Sequence, residues 1–321
     1  MSNFRDWFHS TTDYIPHQWQ VDLASDSKCK SRLIRIPTGL GKTMGVLATW
    51  IYHRIINNDD TWPRRLVWCL PMRVLVEQTE AVARNLLLAC DRLWDDKLEN
   101  RDGKVGVHLL MGGEDTGDWH LYPEHPAILI GTQDMLLSRA LNRGYASSRA
   151  RWPMDYAWLN NDCLWVADEV QLMDVGLATS VQLQAFRHAQ ARVDFPRVHT
   201  WWMSATLQPD WLETTDAMPV IHPLRERMVH VQEPDKTGPL WSITKPLEIH
   251  TIADKDDKQL TKMAGLAANA HAQSEAGAYG RVTLVVMNTV ERASDFCSAL
   301  KRALGKKAPV DVRLVHSRYR G

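Results

Sequence analysis

Short apolar runs alternate with longer amphipathic stretches along most of the chain. Such runs occur at residues 33–36, 65–70, 105–111, 127–130, 163–167 and 198–203. Continuous apolar runs predict strands that are buried on both faces, since a half-buried strand would alternate polar and apolar positions. After most of these runs, the apolar residues recur at the spacing of a helix. The pattern therefore predicts an α/β protein in which helices flank a parallel sheet.

The pattern changes after residue 218. Prolines and mixed charge mark residues 219–250, where we expect a connector with one or two strands at most. Helical spacing returns at 256–276, and a strand, a helix and a strand are predicted at 281–289, 290–304 and 310–315. We therefore expect a first domain at 1–218, a connector with a helix at 219–278 and an incomplete start of a second domain at 279–321, because so few elements cannot cover both faces of a sheet.

Composition is that of a folded globular protein. The 321 residues suggest about two domains, with 45% apolar and 24% charged residues. Lys+Arg and Asp+Glu both total 38, so the net charge of zero gives no support for nucleic-acid binding. It does not exclude such binding, because backbone amides and helix N-termini hold phosphates locally. The 14 tryptophans are expected mainly in the core rather than in a base-stacking platform.

The five cysteines are scattered and form no C-x-x-C pair. Neither a zinc site nor a disulfide framework is therefore expected. The N-terminus lacks the features of a signal peptide, and no apolar run is long enough to span a bilayer. These observations predict a reduced, cytoplasmic protein without a membrane partner.

Residues 36–43 have the composition of a phosphate-binding loop. Gly39 and Gly41 allow close backbone approach to phosphate, Lys42 can reach the β- and γ-phosphates, and the Thr43 hydroxyl can ligate Mg²⁺. A predicted strand precedes the loop and a predicted helix follows it, which is the context such a loop requires. Ile36 stands where the usual pattern has its first glycine.

Two adjacent acids, Asp168 and Glu169, come directly after the predicted strand at 163–167. Buried carboxylates are unfavourable unless they serve a metal or a reaction. Asp168 suits Mg²⁺ coordination, and Glu169 suits activation of the attacking water. The alternative is a helix N-terminus enriched in acids.

Two residues that precede the acid pair in the chain, Gln20 and Arg73, are candidates for ligand recognition. The Gln20 amide can donate to and accept from an adenine edge, with an upstream aromatic residue stacked on the ring. An amphipathic helix followed by a turn is the alternative. Arg73 lies at a predicted helix start after Pro71, where it can contact a phosphate. The alternative for Arg73 is a solvated surface side chain.

Hydroxyl residues follow two further strands. Thr132 comes after the strand at 127–130 and offers a hydroxyl and backbone amides to a phosphate, although it can equally be a helix cap. Ser204 and Thr206 follow the strand at 198–203. Because they come after the acid pair in the chain, they are candidates for a link between that pair and bound nucleic acid.

In this order the motifs resemble those of superfamily 2 (DEAD/DExH-like) helicases. The variants at residues 36–43, 70–78, 111–113 and 168–173 are similar to the helicase part of the CRISPR-associated helicase–nuclease of type I systems, in the branch whose nuclease follows the helicase. The resemblance implies a RecA-like fold and the cofactors ATP and Mg²⁺. It also implies single-stranded DNA and a crRNA-guided CRISPR effector complex as partners, in a prokaryotic cytoplasm.

The resemblance also implies roles for individual residues. Lys42, Asp168 and Glu169 would be catalytic, with Thr43 and Asp168 holding the metal. The nucleotide would be bound by Gln20, Thr38, Gly39, Leu40, Gly41, Lys42 and Thr43. Coupling to nucleic acid would pass through Gln171, Ser204 and Thr206. The nucleic acid itself would contact Arg73, Gly113, Thr132, Gln133, Ser317 and Arg318.

The chain departs from the family in two respects. It stops before motifs V and VI, whose arginines complete the ATP site from the second domain, and it contains no His-Asp dyad of a nuclease. Because such an arginine contributes on the order of 10³–10⁵ in rate, we expect weak hydrolysis. The predicted function is the ATP-dependent DNA helicase or translocase portion of an antiviral CRISPR protein. The alternatives are an RNA helicase, a restriction translocase, or a non-catalytic fragment that binds ATP and nucleic acid.

Overall fold

The computed structural model describes residues 3–94, 102–112, 114–115, 119–145, 147–190, 198–214, 216–244, 246–254, 256–277, 280–305 and 309–316. The chain divides into two compact units, Met1–Ser242 and Ile243–Gly321.

The first unit is built on one sheet. Its strands are β1 (Arg32–Arg35), β2 (Arg65–Leu70), β3 (Gly106–Met111), β4 (Glu114–Asp115), β5 (Ala127–Thr132), β6 (Cys163–Asp168), β7 (His199–Ser204) and β8 (Val229–His230). Their order is β4-β3-β5-β2-β6-β7-β1-β8, and every pair is parallel except β3 with β4. Seven parallel strands with flanking helices confirm the predicted RecA-like architecture.

Helices cover both faces of this sheet. They are α1 (Phe4–Thr12), α2 (Gln18–Ala24), α3 (Lys42–Trp50), α4 (Arg73–Ala89), α5 (Gln133–Ala140), α6 (Trp152–Leu159), α7 (Val175–Ala189), α8 (Met218–Arg225) and α9 (Pro239–Ser242). A π-helical turn at Ile51–Ile56 continues α3.

Alternate residues of each strand enter two separate cores. On β2, Trp68 packs on the face that also holds Val46 of α3, whereas Val67 packs on the face that holds Leu177 of α7. All six residues of β2 and all six of β6 are buried. Burial on both sides explains why these strands are continuous apolar runs in the sequence.

Many tryptophans lie in these cores, as expected from the sequence. Buried ones are Trp7, Trp19, Trp50, Trp62, Trp68, Trp119, Trp165, Trp201 and Trp202. They therefore contribute packing, and several donate their indole N–H to a backbone carbonyl, as Trp50 does to Pro63 (2.8 Å).

The first unit continues beyond residue 218, where the sequence placed the end of the first domain. β8 pairs with β1, with Ile34 opposite Val229, and Val231 joins the core. One or two strands were expected at 219–250, and β8 is one, but a two-residue segment is too short for its sequence to show which strand it pairs with.

The second unit contains two long helices, α10 (Asp256–Gln273) and α11 (Val290–Leu304), close to the predicted bounds. They pack through a small core of Ala264, Phe296 and Ala299. Residues 281–287 and 310–316 form no strand, although strands were predicted there. Leu284 in the first of these segments is exposed. A segment becomes a strand only when another strand pairs with it, and among the described residues none pairs with this one. The assignment of residues 279–321 to a second RecA-like domain stays a prediction.

Candidate nucleotide and nucleic-acid site

The predicted phosphate loop connects β1 to α3. Gly39 and Gly41 have positive φ values of 91° and 66°, a conformation that favours glycine. Gly41 is the N-cap of α3, and among the described residues no side chain caps that first turn. The first N–H groups of α3 are therefore open to an anion at the positive end of the helix dipole.

The acid pair lies at the end of β6. The side chain of Asp168 is buried, with Oδ1 accepting the backbone N–H of Glu169 (2.8 Å) and Oδ2 accepting the indole N–H of Trp68 (3.3 Å). Burial and then the charge of Glu169 raise the pKa of Asp168 to about 6, and the charge of Lys42 opposes this rise. Glu169 adopts the left-handed conformation, with φ of 51°.

The loop and the acid pair meet although 127 positions separate them. Lys42 Nζ lies 3.3 Å from Glu169 Oε1, and the Lys42 side chain is largely buried. β7 lies between β1 and β6 in the sheet. Because the three strands are parallel, their carboxyl ends meet at one edge, where ligands bind in open α/β sheets.

A hydrogen-bonded chain leads from the acids to the end of β7. Gln171 Nε2 donates to Glu169 Oε2 (2.6 Å), and Ser204 Oγ donates to Gln171 Oε1 (2.6 Å). The N–H of Thr206 donates to Ser204 Oγ (3.0 Å). Gln171, Ser204 and Thr206, which were predicted to couple the nucleotide site to nucleic acid, thus lie with Glu169 in one hydrogen-bonded network.

Gln20 braces the loop. Its Oε1 accepts the N–H of His17 (2.8 Å), its Nε2 donates to the carbonyl of Gly41 (3.1 Å), and only 2% of the residue is exposed. Next to it, Trp19 donates its indole N–H to the carbonyl of Leu40 (3.2 Å). Both the oxygen and the nitrogen of the Gln20 amide are therefore hydrogen-bonded within the protein. Adenine recognition by Gln20 stays a prediction. This bracing role was not foreseen from the sequence.

A close helix contact supports the same arrangement. A Cβ atom at Gly45 of α3 would lie 2.7 Å from Trp19 Cη2 and 2.8 Å from Gln20 Cγ. Only glycine therefore lets α2 approach α3 at this point. A cavity of about 220 Å³ opens beside α2, bordered by Leu40 and by residues of the 231–237 segment.

The predicted nucleic-acid residues are less connected. Arg73 begins α4 and is exposed, and Thr132 is the N-cap of α5 without forming a side-chain capping bond. Leu70 pairs with Thr132 where β2 and β5 end, so Thr132 and Arg73, which lies three residues after β2, are at the same edge of the sheet. Gly113, Ser317 and Arg318 lie outside the described residues.

Gln133 turns toward α7 rather than standing free. A Cβ atom at Gly176 would lie 2.1 Å from Gln133 Oε1, which is buried without a hydrogen-bond partner among the described residues. The sequence offered no signal for this packing, nor for the contact between Trp68 and Asp168, because both depend on which side chains meet across the fold.

Among the described residues, no helix is both long and apolar enough to cross a bilayer.

Comparison with known proteins identifies the family. Residues 16–215 match the family model described as DEAD/DEAH box helicase. No curated protein sequence matches the chain. Among solved structures, the DUF1998 helicase MrfA is similar over 95% of this chain and 41% of its own, with 14% identity and a TM-score of 0.57. This likeness shows the fold.

Other solved structures resemble the chain less closely. The Hef helicase domain of Pyrococcus furiosus is 18% identical over 95% of this chain and 55% of its own, with a TM-score of 0.44. Mss116p, in a structure with single-stranded RNA and AMP-PNP, is 18% identical over 71% of this chain and 41% of its own, with a TM-score of 0.43. The chain spans less than half of the length of MrfA and of Mss116p.

The family match extends from the segment before Gln20 to residue 215 and so includes the loop, the acid pair and the Ser204–Thr206 segment. Together with the parallel sheet that brings these parts to one edge, it establishes that the chain belongs to the DEAD/DEAH box helicase family.

Proposed function

We propose that the edge of the sheet between β1 and β6 binds ATP with Mg²⁺ and that hydrolysis there drives movement along single-stranded DNA. The observation that carries the proposal is the contact of Lys42 with Glu169, 3.3 Å apart across two separate motifs. A cation from a phosphate loop beside two acids is the arrangement that phosphoryl transfer requires.

The donor set fits Mg²⁺. Thr43 offers a hydroxyl oxygen and Asp168 a buried carboxylate, and Mg²⁺ prefers a few such oxygen ligands and the substrate phosphates. Bound there, Mg²⁺ would neutralise charge on the phosphates.

Other residues of the chain would bind the phosphates, activate the attacking water and couple the site to nucleic acid. The N–H groups of α3 hold phosphate oxygens, with Thr38, Gly39, Leu40 and Gly41 shaping the loop. Lys42 exchanges its contact with Glu169 for the γ-phosphate, which frees the Glu169 carboxylate to orient and deprotonate the attacking water. The hydrogen-bonded network of Gln171, Ser204 and Thr206 couples this change to the residues that bind the nucleic acid.

We further propose that the nucleic acid is single-stranded DNA and that the chain is the motor part of a CRISPR interference protein, acting with a crRNA-guided effector complex. The support is the sequence of the motif variants at 36–43, 70–78 and 168–173. Arg73, Thr132 and Gln133 would contact the DNA through its backbone. Gly113, Ser317 and Arg318 stay predicted contacts.

The test is ATP hydrolysis by the full chain with single-stranded DNA, single-stranded RNA or no nucleic acid. Stimulation by DNA alone supports the proposal. Stimulation by RNA alone identifies an RNA motor, and nucleotide binding without turnover identifies a binding module. A second arm adds a crRNA-guided complex bound to its DNA target; hydrolysis that does not respond to it contradicts the CRISPR assignment.

A further inference from the structure

The indole of Trp68 contacts the most buried acid of the site. Trp68 lies in β2, has no solvent exposure and donates its Nε1–H to Asp168 Oδ2 at 3.3 Å, a long hydrogen bond. β2 and β6 pair in parallel, with Trp68 opposite Val166 and Cys69 opposite Ala167. Asp168 is therefore the next residue beyond the last pair, and the Trp68 ring reaches forward to it.

The carboxylate of Asp168 is held from two sides by neutral donors. The backbone N–H of Glu169 binds Oδ1 (2.8 Å) and the indole binds Oδ2. A carboxylate has about four acceptor positions, so two have no hydrogen-bond partner among the described residues. The nearby cation, Lys42, is paired with Glu169 instead. The Asp168 carboxylate is thus oriented by hydrogen bonds and forms no ion pair with a described residue, which suits a metal ligand.

Other buried tryptophans of the sheet use their N–H differently. Trp165 of β6 donates to the carbonyl of Leu159 (2.9 Å), and Trp201 of β7 donates to the carbonyl of Lys30 (2.6 Å). A phenylalanine at position 68 would keep an aromatic ring in the core, but it is smaller than tryptophan and has no donor. The Trp68 indole differs from the other two because its acceptor is the side chain of a site residue, Asp168.

We propose that Trp68 is a positioning residue that orients the Asp168 carboxylate toward the divalent cation accompanying the nucleotide. The proposal rests on the proposed function of the site. Trp68 is buried and acts through Asp168, without touching the nucleotide itself.

The test measures the binding of a fluorescent ADP analogue to the full chain at increasing Mg²⁺ concentration, and again in EDTA. Trp68→Phe is expected to raise the Mg²⁺ concentration for half-maximal binding about tenfold or more, since loss of an outer partner of a metal ligand has effects of this size. Binding in EDTA is expected to be unchanged. Trp165→Phe is the matched control, because it removes another buried indole donor that does not contact Asp168.

An unchanged Mg²⁺ requirement in Trp68→Phe overturns the proposal, and so does an equal rise in Trp165→Phe, which would indicate a packing effect. Failure of the proposed function looks different, because the unsubstituted chain would then show no Mg²⁺-dependent binding.

A second measurement keeps Trp68 in place and covers the case in which Trp68→Phe does not fold. In the chain labelled with ¹⁵N-tryptophan, one indole resonance is expected to move both in Asp168→Asn and when Mg²⁺ is added to the ADP-bound protein. The absence of such a shared resonance overturns the proposal.

Discussion

The two ends of the candidate site differ in how far the chain has organised them. At the nucleotide end, Lys42, Glu169, Gln171 and Ser204 form one continuous set of contacts. At the nucleic-acid end, Arg73 is exposed, and its side chain forms no hydrogen bond with another described residue. Preformed contacts suit a site that must hold fixed geometry during a reaction, whereas a backbone-reading surface needs only charge and reach.

The largest effect that this contrast predicts comes from the loop lysine. Lys42→Ala removes the cation that would meet the γ-phosphate, and we expect ATP hydrolysis to fall about 10²–10³-fold, the range for losing one preorganised electrostatic contact. Steady-state phosphate release measures this. Lys28→Ala, at an exposed position, is the control. Hydrolysis that survives Lys42→Ala would mean that the loop is not the phosphate site.

The brace of the loop should matter next. Gly45→Ala places a Cβ 2.7 Å from Trp19 Cη2, and we expect the free energy of unfolding to fall by about 1–3 kcal/mol from overpacking, together with weaker nucleotide binding. Urea unfolding and analogue titration measure the two effects. Gly265→Ala in α10 meets open space and is expected to stabilise its helix by up to about 1 kcal/mol. Equal effects of the two substitutions would argue against the brace.

The coupling network should show a smaller and more selective effect. Ser204→Ala removes the donor to Gln171, a contact of about 0.5–1.5 kcal/mol, so stimulation of hydrolysis by DNA should fall up to about tenfold. Nucleotide affinity should hold. Ser180→Ala is the control, because Ser180 is also buried and accepts the indole N–H of Trp202 (2.9 Å), a contact that involves no residue of the network. The network has no coupling role if both variants retain full stimulation.

The exposed end should respond least. Arg73→Ala is expected to lower DNA affinity slightly and to reduce the slope of log affinity against log salt by about 0.7, the value for one phosphate contact on a single strand. Fluorescence anisotropy at several salt concentrations measures this. Arg227→Ala is the control, because Arg227 is exposed and precedes β8, at the opposite edge of the sheet. An unchanged slope in Arg73→Ala removes Arg73 from the DNA path.

The same contrast separates what the sequence could predict from what it could not. The central strands and the positions of Lys42 and Asp168 follow from apolar runs that end in chemistry-bearing residues. Three contacts depend instead on rotamers and on strand register. They are the packing of Gln133 on Gly176, the hydrogen bond of Gln20 to the Gly41 carbonyl and the hydrogen bond of Trp68 to Asp168. No local pattern encodes such contacts.

The strand predictions at 281–289 and 310–315 illustrate the opposite error. The run around Leu284 has strand-like composition, but pairing requires a neighbour, and among the described residues of the second unit no strand is formed. β8, by contrast, is only two residues long, and it is a strand because it pairs with β1. Propensity describes what a segment can do, and its partners decide what it does.

The central claim is that the phosphate loop and the acid pair form a single reaction site. A double-mutant cycle of Lys42→Ala and Glu169→Gln, read as DNA-stimulated ATP hydrolysis, tests it most directly. If the two residues act as one unit, the double variant should be about as active as the less active of the two single variants. The reason is that the effects of residues in one catalytic unit are strongly non-additive. Losses that multiply would show two independent contributions and would contradict the account.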